Sequence, residues 1–142
     1  MRKPYDNPRR RHGRNIRRRD ARYVQNPEIE NLPCMRCEVG ENMNIFDLPE
    51  LPLSEELITV IAESGNVRIE RIISTGQISA DWYDQDETEF VALLDGKAVV
   101  EFENGESISM SKGDTLLIKP HERHRVSFTS SEPPCVWLCV FH

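Results

Sequence analysis

Short stretches of apolar and β-branched residues, separated by glycine- and proline-containing turns, fill the chain from residue 66 to residue 141. Two of the turns, Asp95–Gly96 and Asn104–Gly105, are dipeptides that readily adopt the φ > 0 conformation of a tight hairpin. About eight short strands with turns at this spacing predict an all-β sandwich or barrel. The predicted strands cover residues 66–75, 77–83, 88–94, 97–103, 106–111, 114–119, 125–130 and 135–141.

One short helix is predicted just before these strands, in the sequence SEELITVIAESG at residues 54–65. Ser54 is a suitable N-cap, and the two glutamates after it lie where the helix dipole favours negative charge. Gly65 is a suitable end point. The apolar residues between them recur at helical spacing, namely Leu57, Ile58, Ile61 and Ala62. We therefore expect a helix that packs against the strands that follow.

Charge divides the chain near residue 42. Residues 1–42 hold 11 Lys and Arg against 6 Asp and Glu, a net charge of +5, whereas residues 43–142 hold 7 against 18, a net charge of −11. The basic run RRRHGRNIRRRD has no apolar periodicity, so residues 1–42 are predicted to be a disordered extension before a domain at 43–142. Met43, where organised sequence begins, is itself a candidate start. The extension favours at most nonspecific, salt-sensitive contact with nucleic acid, which the acidic domain disfavours.

The four cysteines are expected to be free thiols in the cytoplasm, because the sequence shows no export signal and no apolar run long enough to span a membrane. Cys34 and Cys37 have the spacing of a zinc or redox motif, but a closed zinc site needs two further ligands. Cys135 and Cys139 share one face of a predicted strand with Trp137. Strand geometry places the two thiols too far apart to bond, so the three residues predict an apolar wall.

A first motif with regular spacing occurs between Gly76 and Gly96. Gly76 is followed by five residues, then Trp82-Tyr83-Asp84, four residues, Glu89, six residues and Gly96. This order resembles the first motif of the cupin superfamily, in which Gly, five residues, His-x-His, three or four residues, Glu, six residues and Gly follow one another. Trp82 and Asp84 stand where that family has its two histidines.

A second motif follows in register. Gly113-Asp114 opens a strand that ends in Lys119-Pro120-His121, and Glu122-Arg123 then lead to His124. In the cupin pattern Lys119 takes the place of a proline, His121 takes the place of a glycine, and His124 matches the metal-binding histidine. Over residues 67–141 the resemblance implies a jelly-roll barrel, also called a double-stranded β-helix, that forms homodimers through edge strands or sheet faces.

Residues of both motifs are candidates for a site inside the barrel. Alternation along a strand places Trp82 and Asp84 on one face and Tyr83 on the other, and the resemblance implies that the first face is the interior. Asp84, Glu89, His124 and, with an inward loop, His121 would then hold a divalent ion such as Fe, Mn, Zn or Ni. The expected ligand-binding residues are Trp82, which stacks because its ring N–H cannot bind a metal, and Arg123 or Arg125, which would pair with an anion.

Each of these residues also has a purely structural interpretation. Asp84 and Glu89 are compatible with solvated strand ends or with partners of the two arginines, and His124 with a hydrogen-bonded barrel histidine. Two functions therefore stay open. One is an enzyme of dioxygenase, isomerase or lyase type that uses the metal, with His121 or Glu122 transferring a proton at the mouth. The other is a metal-free module that binds or senses a small polar metabolite.

Overall fold

The fold, taken from a computed structural model, is described for residues 42–142 and contains eight strands in two antiparallel sheets, with no helix in that range. The strands are β1 Leu57–Ser64, β2 Val67–Ser74, β3 Glu89–Asp95, β4 Lys97–Phe102, β5 Ser107–Ser111, β6 Thr115–Ile118, β7 His124–Thr129 and β8 Cys135–Phe141. The larger sheet has the order β1-β2-β8-β3-β6 and the smaller one β5-β4-β7. The all-β prediction is confirmed. Residues 1–41 of the predicted extension, with Cys34 and Cys37, lie outside the described residues.

The predicted helix at residues 54–65 is wrong, because most of this segment is the edge strand β1. Four consecutive residues, Ile58 to Ile61, are β-branched, and such side chains favour the extended backbone. β1 pairs antiparallel with β2 from Leu57 opposite Ile73, with a bulge between Val60 and Ala62. A strand interrupted by a bulge places its apolar residues at spacings that also fit a helix, which explains the misleading pattern.

The predicted strand at residues 77–83 is also wrong, whereas the other seven predicted strands correspond to β2–β8. Residues 77–83 run beside β7 without forming a continuous ladder. They contact it at Gln77, whose carbonyl oxygen accepts from Thr129, and at Ser79, whose N–H donates to Val126. The segment ends in one isolated antiparallel bridge between Tyr83 and His124.

Apolar side chains from the facing surfaces of the two sheets form the core. Ile72, Trp137 and Leu93 lie in one cross-strand row of the larger sheet and are each at most 1% exposed. The predicted wall of Cys135, Trp137 and Cys139 is confirmed, since all three belong to this core and neither cysteine forms a disulfide. Burial raises the pKa of the Cys135 thiol, so the thiol stays protonated.

One end of this inner face is polar. Arg68 and Glu70 on β2, Glu89 on β3 and His124 on β7 are all at most 5% exposed. Arg68 and Glu89 are both paired with Phe141 of β8, which belongs to the core. Paired residues of neighbouring strands point to the same face, so these charged side chains face inward as the core residues do. The barrel interior therefore passes from an apolar end to a charged end.

The outer face of the larger sheet is partly covered by the segment before β1. The guanidinium of Arg71, which points outward between Glu70 and Ile72, donates to the carbonyl oxygens of Ile45 at 3.4 Å and Asp47 at 2.9 Å. Residues 42–53 thus form a strap across this face. No helix among residues 42–142 is long and apolar enough to cross a membrane.

Candidate functional site

Glu89 and His124 form a buried pair at the charged end of the barrel. Glu89 opens β3 and His124 opens β7, and Glu89 Oε2 lies 3.7 Å from His124 Nε2 with both residues 1% exposed. His124 Nδ1 lies 2.8 Å from the carbonyl oxygen of Glu122. A carbonyl can only accept, so Nδ1 carries the proton, and in the neutral ring Nε2 presents its lone pair towards Glu89. In the protonated ring Nε2 carries a proton as well and forms an ion pair with Glu89 Oε2.

The two oxygens of Glu89 have different surroundings. Oε2 accepts a hydrogen bond of 2.9 Å from Gln85 Nε2, whereas Oε1 is buried and has no hydrogen-bond partner among the described residues. A buried carboxylate oxygen without a donor is costly. Glu89 Oε1 therefore offers an acceptor to a proton, to a hydrogen-bond donor or to a cation.

Tyr83 and Gln85 are the residues of the first motif that face this pair. The Tyr83 ring lies 5.6 Å from the His124 ring, and the Phe102 ring lies 6.2 Å from it. The prediction that Tyr83 points away is wrong, because Tyr83 pairs directly with His124 and opposed residues of antiparallel strands point to the same side. Tyr83 and Gln85 therefore take the two histidine positions of the first motif. Three residues separate Gln85 from Glu89, which is the shorter of the two spacings that the motif allows before its glutamate.

Trp82 contacts Arg125 rather than the buried pair. The guanidinium carbon of Arg125 lies 4.6 Å from the centre of the Trp82 ring, and Arg125 binds Glu101 through two contacts of 2.7 and 2.8 Å. The hydrogen bond from Arg125 lowers the pKa of Glu101. Arg125 follows His124 along β7 and therefore lies on its opposite side. Arg123 is paired with Glu103.

Asp84 and His121 form a second, more exposed pair. His121 Nδ1 lies 3.0 Å from Asp84 Oδ1, and their side chains are 60% and 23% exposed. The backbone N–H of His121 also donates to the carbonyl oxygen of Gln85 at 2.6 Å, which connects the turn before β7 to the segment before β3. The four predicted metal ligands thus come together as two pairs, one buried and one exposed.

The described residues supply fewer ligands than the four-residue metal centre that the resemblance implies. Within residues 42–142, no three or more His, Cys, Asp or Glu residues are placed to hold one ion. The inward positions of the first motif carry a phenol, Tyr83, and an amide, Gln85, whose NH₂ group already donates to Glu89. Glu89 and His124 are therefore the two strong donors, and catalytic zinc sites use three.

A further charged cluster at this end was missed by sequence reasoning. Arg68 Nε lies 2.7 Å from Glu70 and Arg68 Nη1 lies 3.1 Å from Glu87, while its guanidinium carbon is 4.2 Å from the centre of the Phe141 ring. Burial favours the neutral form, but the charges of Glu70 and Glu87 outweigh it and hold the pKa of Arg68 above its ordinary value. The signal in the sequence is the alternation in VRIER, residues 67–71, which places Arg68 and Glu70 at the inward positions of a largely apolar strand.

Comparisons with known proteins place these observations in a family. The family model of the cupin domain matches residues 70–141. A provisionally named mannose-6-phosphate isomerase from Ralstonia eutropha JMP134 is 36% identical, with 71% of this chain and 96% of that chain covered and a TM-score of 0.67. No functionally curated protein matches the sequence.

Two more distant structures support the fold alone. A cupin superfamily protein from Desulfitobacterium hafniense DCB-2 is 19% identical, covers 66% of this chain and 82% of its own, and has a TM-score of 0.56. A protein of unknown function from Streptococcus pyogenes is 14% identical, covers 73% and 88%, and has a TM-score of 0.59. The shared architecture therefore extends to chains with little sequence similarity.

Proposed function

The chain belongs to the cupin domain family, and on that premise we propose that its barrel binds a small polar molecule through Glu89 and His124. The observation that supports this proposal is Glu89 Oε1, a buried carboxylate oxygen that lacks a hydrogen-bond donor beside the imidazole of His124. A ligand that donates to Glu89 would satisfy this acceptor in the interior, where such a contact is worth more than in water. The ligand thereby gains a specific polar anchor inside the barrel.

The neighbouring residues hold this pair in position. The carbonyl oxygen of Glu122 fixes the proton on Nδ1 of His124. The side-chain amide of Gln85 donates to Oε2 of Glu89, which leaves Oε1 available to a ligand. Tyr83 lies against His124 and is only partly buried, so we propose that a ligand enters past its ring. Asp84 and His121 flank this entrance.

The pair is also suited to proton transfer. A carboxylate and an imidazole 3.7 Å apart can take up and return a proton at neighbouring atoms of a bound molecule. The name of the Ralstonia relative refers to an isomerase, a type of reaction in which a proton moves between atoms of the substrate. Among the three reaction types implied by the family, acid–base isomerisation is the one we propose for this chain.

Ligand screening with matched variants tests the proposal. We expect a panel of small polar metabolites to raise the melting temperature of the native protein, with no stoichiometric metal in protein purified without chelators. Glu89→Gln and His124→Gln should both abolish the stabilisation. Glu101→Gln on β4, whose carboxylate binds Arg125 on the face of the smaller sheet opposite His124, should leave it intact. Stabilisation that survives both site variants would contradict the proposal.

Divalent-metal binding is a second candidate, favoured by the short distance between two strong donors. Two atoms 3.7 Å apart can both bind one ion, because metal–ligand bonds of about 2.1 Å place neighbouring ligands about 3–4 Å apart. Glu89 and His124 would hold such an ion, which would polarise a bound oxygen as a Lewis acid. Stoichiometric metal that is lost in both Glu89→Gln and His124→Gln would favour this function over the first.

We further propose that the protein acts in the cytoplasm. Cys135 and Cys139 are both buried and neither forms a disulfide, which suits a reducing compartment. Cell fractionation followed by detection of the native chain tests this location, and recovery from an oxidising compartment would contradict it.

A further inference from the structure

We infer that Gln85 determines the specificity of the Glu89–His124 site, and that it favours an organic hydrogen-bond donor over a divalent metal ion. This inference rests on the proposed function, since it concerns the molecule that occupies the same pair. It follows from the oxygen of Glu89 that Gln85 contacts, from the orientation of the Gln85 amide and from the position that Gln85 takes in the first motif.

Gln85 contacts the oxygen of Glu89 that a shared ion would use. Oε2 of Glu89 lies 3.7 Å from His124 Nε2 and 2.9 Å from Gln85 Nε2. An ion held by both Glu89 and His124 would bind this oxygen, because such a separation is usual between two ligands of one metal. The hydrogen bond from Gln85 competes with an ion at Oε2. Oε1 of Glu89, which is buried and has no donor among residues 42–142, is left to a ligand.

The orientation of the Gln85 amide follows from its partner. A carboxylate only accepts hydrogen bonds, so the amide presents its NH₂ group to Glu89 and turns its oxygen away. The oxygen is the atom through which a glutamine side chain binds metals. The N–H hydrogens carry positive partial charge and would repel a cation at Oε2. Gln85 is 5% exposed, so its amide is confined among its neighbours in this orientation.

Backbone contacts place residue 85 beside Glu89. The carbonyl oxygen of Gln85 accepts from the backbone N–H of His121 at 2.6 Å. Two residues earlier, Tyr83 exchanges backbone hydrogen bonds of 2.7 and 3.1 Å with His124. These bonds do not involve the side chain at position 85, so they should persist when that side chain is replaced. A metal-binding group introduced at position 85 would then lie within reach of an ion at the pair.

The residue at position 85 therefore sets the number of strong metal donors. Three residues separate it from Glu89, and the first motif of the family has a histidine at that place. Histidine there would raise the strong donors from two to three, the number that catalytic zinc sites use. Gln85 keeps the number at two and adds a hydrogen-bond donor in place of the third ligand.

Metal titration of variants at position 85 tests the inference. Co²⁺ alone is titrated into the full chain after metal removal, and binding is followed by visible absorption and calorimetry. Gln85→His should bind one Co²⁺ about 100-fold more tightly than the native chain, because it supplies the third strong donor. Gln85→Glu, which has almost the shape of the native side chain, should gain about tenfold or more. Gln85→Leu supplies no donor and should show no gain.

Two controls assign the gain to this site. Asp81→His places a histidine at an exposed position of the same segment and should bind Co²⁺ as the native chain does. Cys34 and Cys37 offer Co²⁺ a second place on the full chain. The gain of Gln85→His should therefore be lost when His124→Gln is added. Should Gln85→His fail to fold, Gln85→Glu carries the same comparison.

The outcomes separate this inference from the proposed function. A native chain that binds Co²⁺ at the pair as tightly as Gln85→His would overturn the inference and favour metal binding as the function. Absence of a gain in folded Gln85→His or Gln85→Glu would also overturn it, while metabolite binding, tested by melting temperature in the native chain, would stand. A gain in these variants with no metabolite that stabilises the native chain would support the effect of Gln85 on metals and remove the proposed function.

Discussion

At the scale of single residues, His121 combines an unfavourable backbone conformation with a side chain that contacts Asp84. Its φ is +64°, and it is the only non-glycine residue with positive φ among residues 42–142. This conformation costs a residue with a Cβ about 1–2 kcal/mol, and the resembling family has glycine at this position. The contacts of His121 with Asp84 and Gln85 offset that cost.

Replacing His121 by glycine and by alanine separates the backbone from the side chain. Both variants lose the pair with Asp84, but only alanine keeps a Cβ in the left-handed conformation. We expect His121→Gly to be about 1 kcal/mol more stable than His121→Ala in urea denaturation. Equal stability of the two variants would show that the turn changes conformation when the imidazole is removed.

The same scale shows what the sequence could predict about the site. Glu89 and His124 were predicted from motif spacing, and the structure brings them together because each begins a strand at the same end of the barrel. Tyr83 and Gln85 were missed because residues 77–83 are not a strand. The face of Tyr83 is set by one bridge to His124, a distant contact that local alternation does not encode.

At the scale of elements, the hairpin between β3 and β4 depends on Gly96. Asp95–Gly96 predicted this turn, and Gly96 has a φ of +88°. The packing around it could not be predicted from local sequence. A Cβ on Gly96 would lie 2.8 Å from the Cα of Cys135 and 2.9 Å from the carbonyl oxygen of Pro134, so the turn sits directly against the start of β8.

Alanine substitutions at two glycines measure the two requirements of such a turn. Gly96→Ala combines the left-handed conformation with a backbone clash, and we expect it to cost about 2–5 kcal/mol of unfolding free energy. Gly105 has a similar φ of +92° but nothing within 4 Å of its added Cβ, so Gly105→Ala should cost only about 1–2 kcal/mol. Thermal or urea unfolding of both variants checks the difference, and equal costs would mean that β8 yields to the added methyl group.

At the scale of the whole molecule, the larger sheet is apolar on its outer face as well as on its inner face. Ile69, Val140, Phe90 and Leu117 form an outward row in direct register across β2, β8, β3 and β6. Leu117 is 54% exposed, and the other three are partly buried. Antiparallel sheets with one solvated face normally carry polar residues at the outward positions of each strand, whereas the outward positions in this row are apolar. The strap at residues 42–53 contacts the neighbouring position Arg71.

A second copy of the chain is the partner that we propose for this outward row. Two sheets packed face to face about a two-fold axis would bury the row against itself, as expected for the homodimer that the family resemblance implies. In such an interface each substitution occurs twice. Leu117→Asp would place two carboxylates in the apolar contact, and we expect it to weaken dimerisation at least 100-fold in sedimentation velocity.

The control for this prediction is a similarly exposed apolar residue on the other sheet. Phe128 of β7 is 49% exposed, so Phe128→Asp removes a similar apolar surface without touching the outward row. We expect Phe128→Asp to dimerise like the native protein, while Leu117→Asp sediments as a folded monomer. Loss of the dimer in Phe128→Asp alone would assign the interface to the smaller sheet, and a native protein that is monomeric at all concentrations would leave the row as solvent-exposed surface.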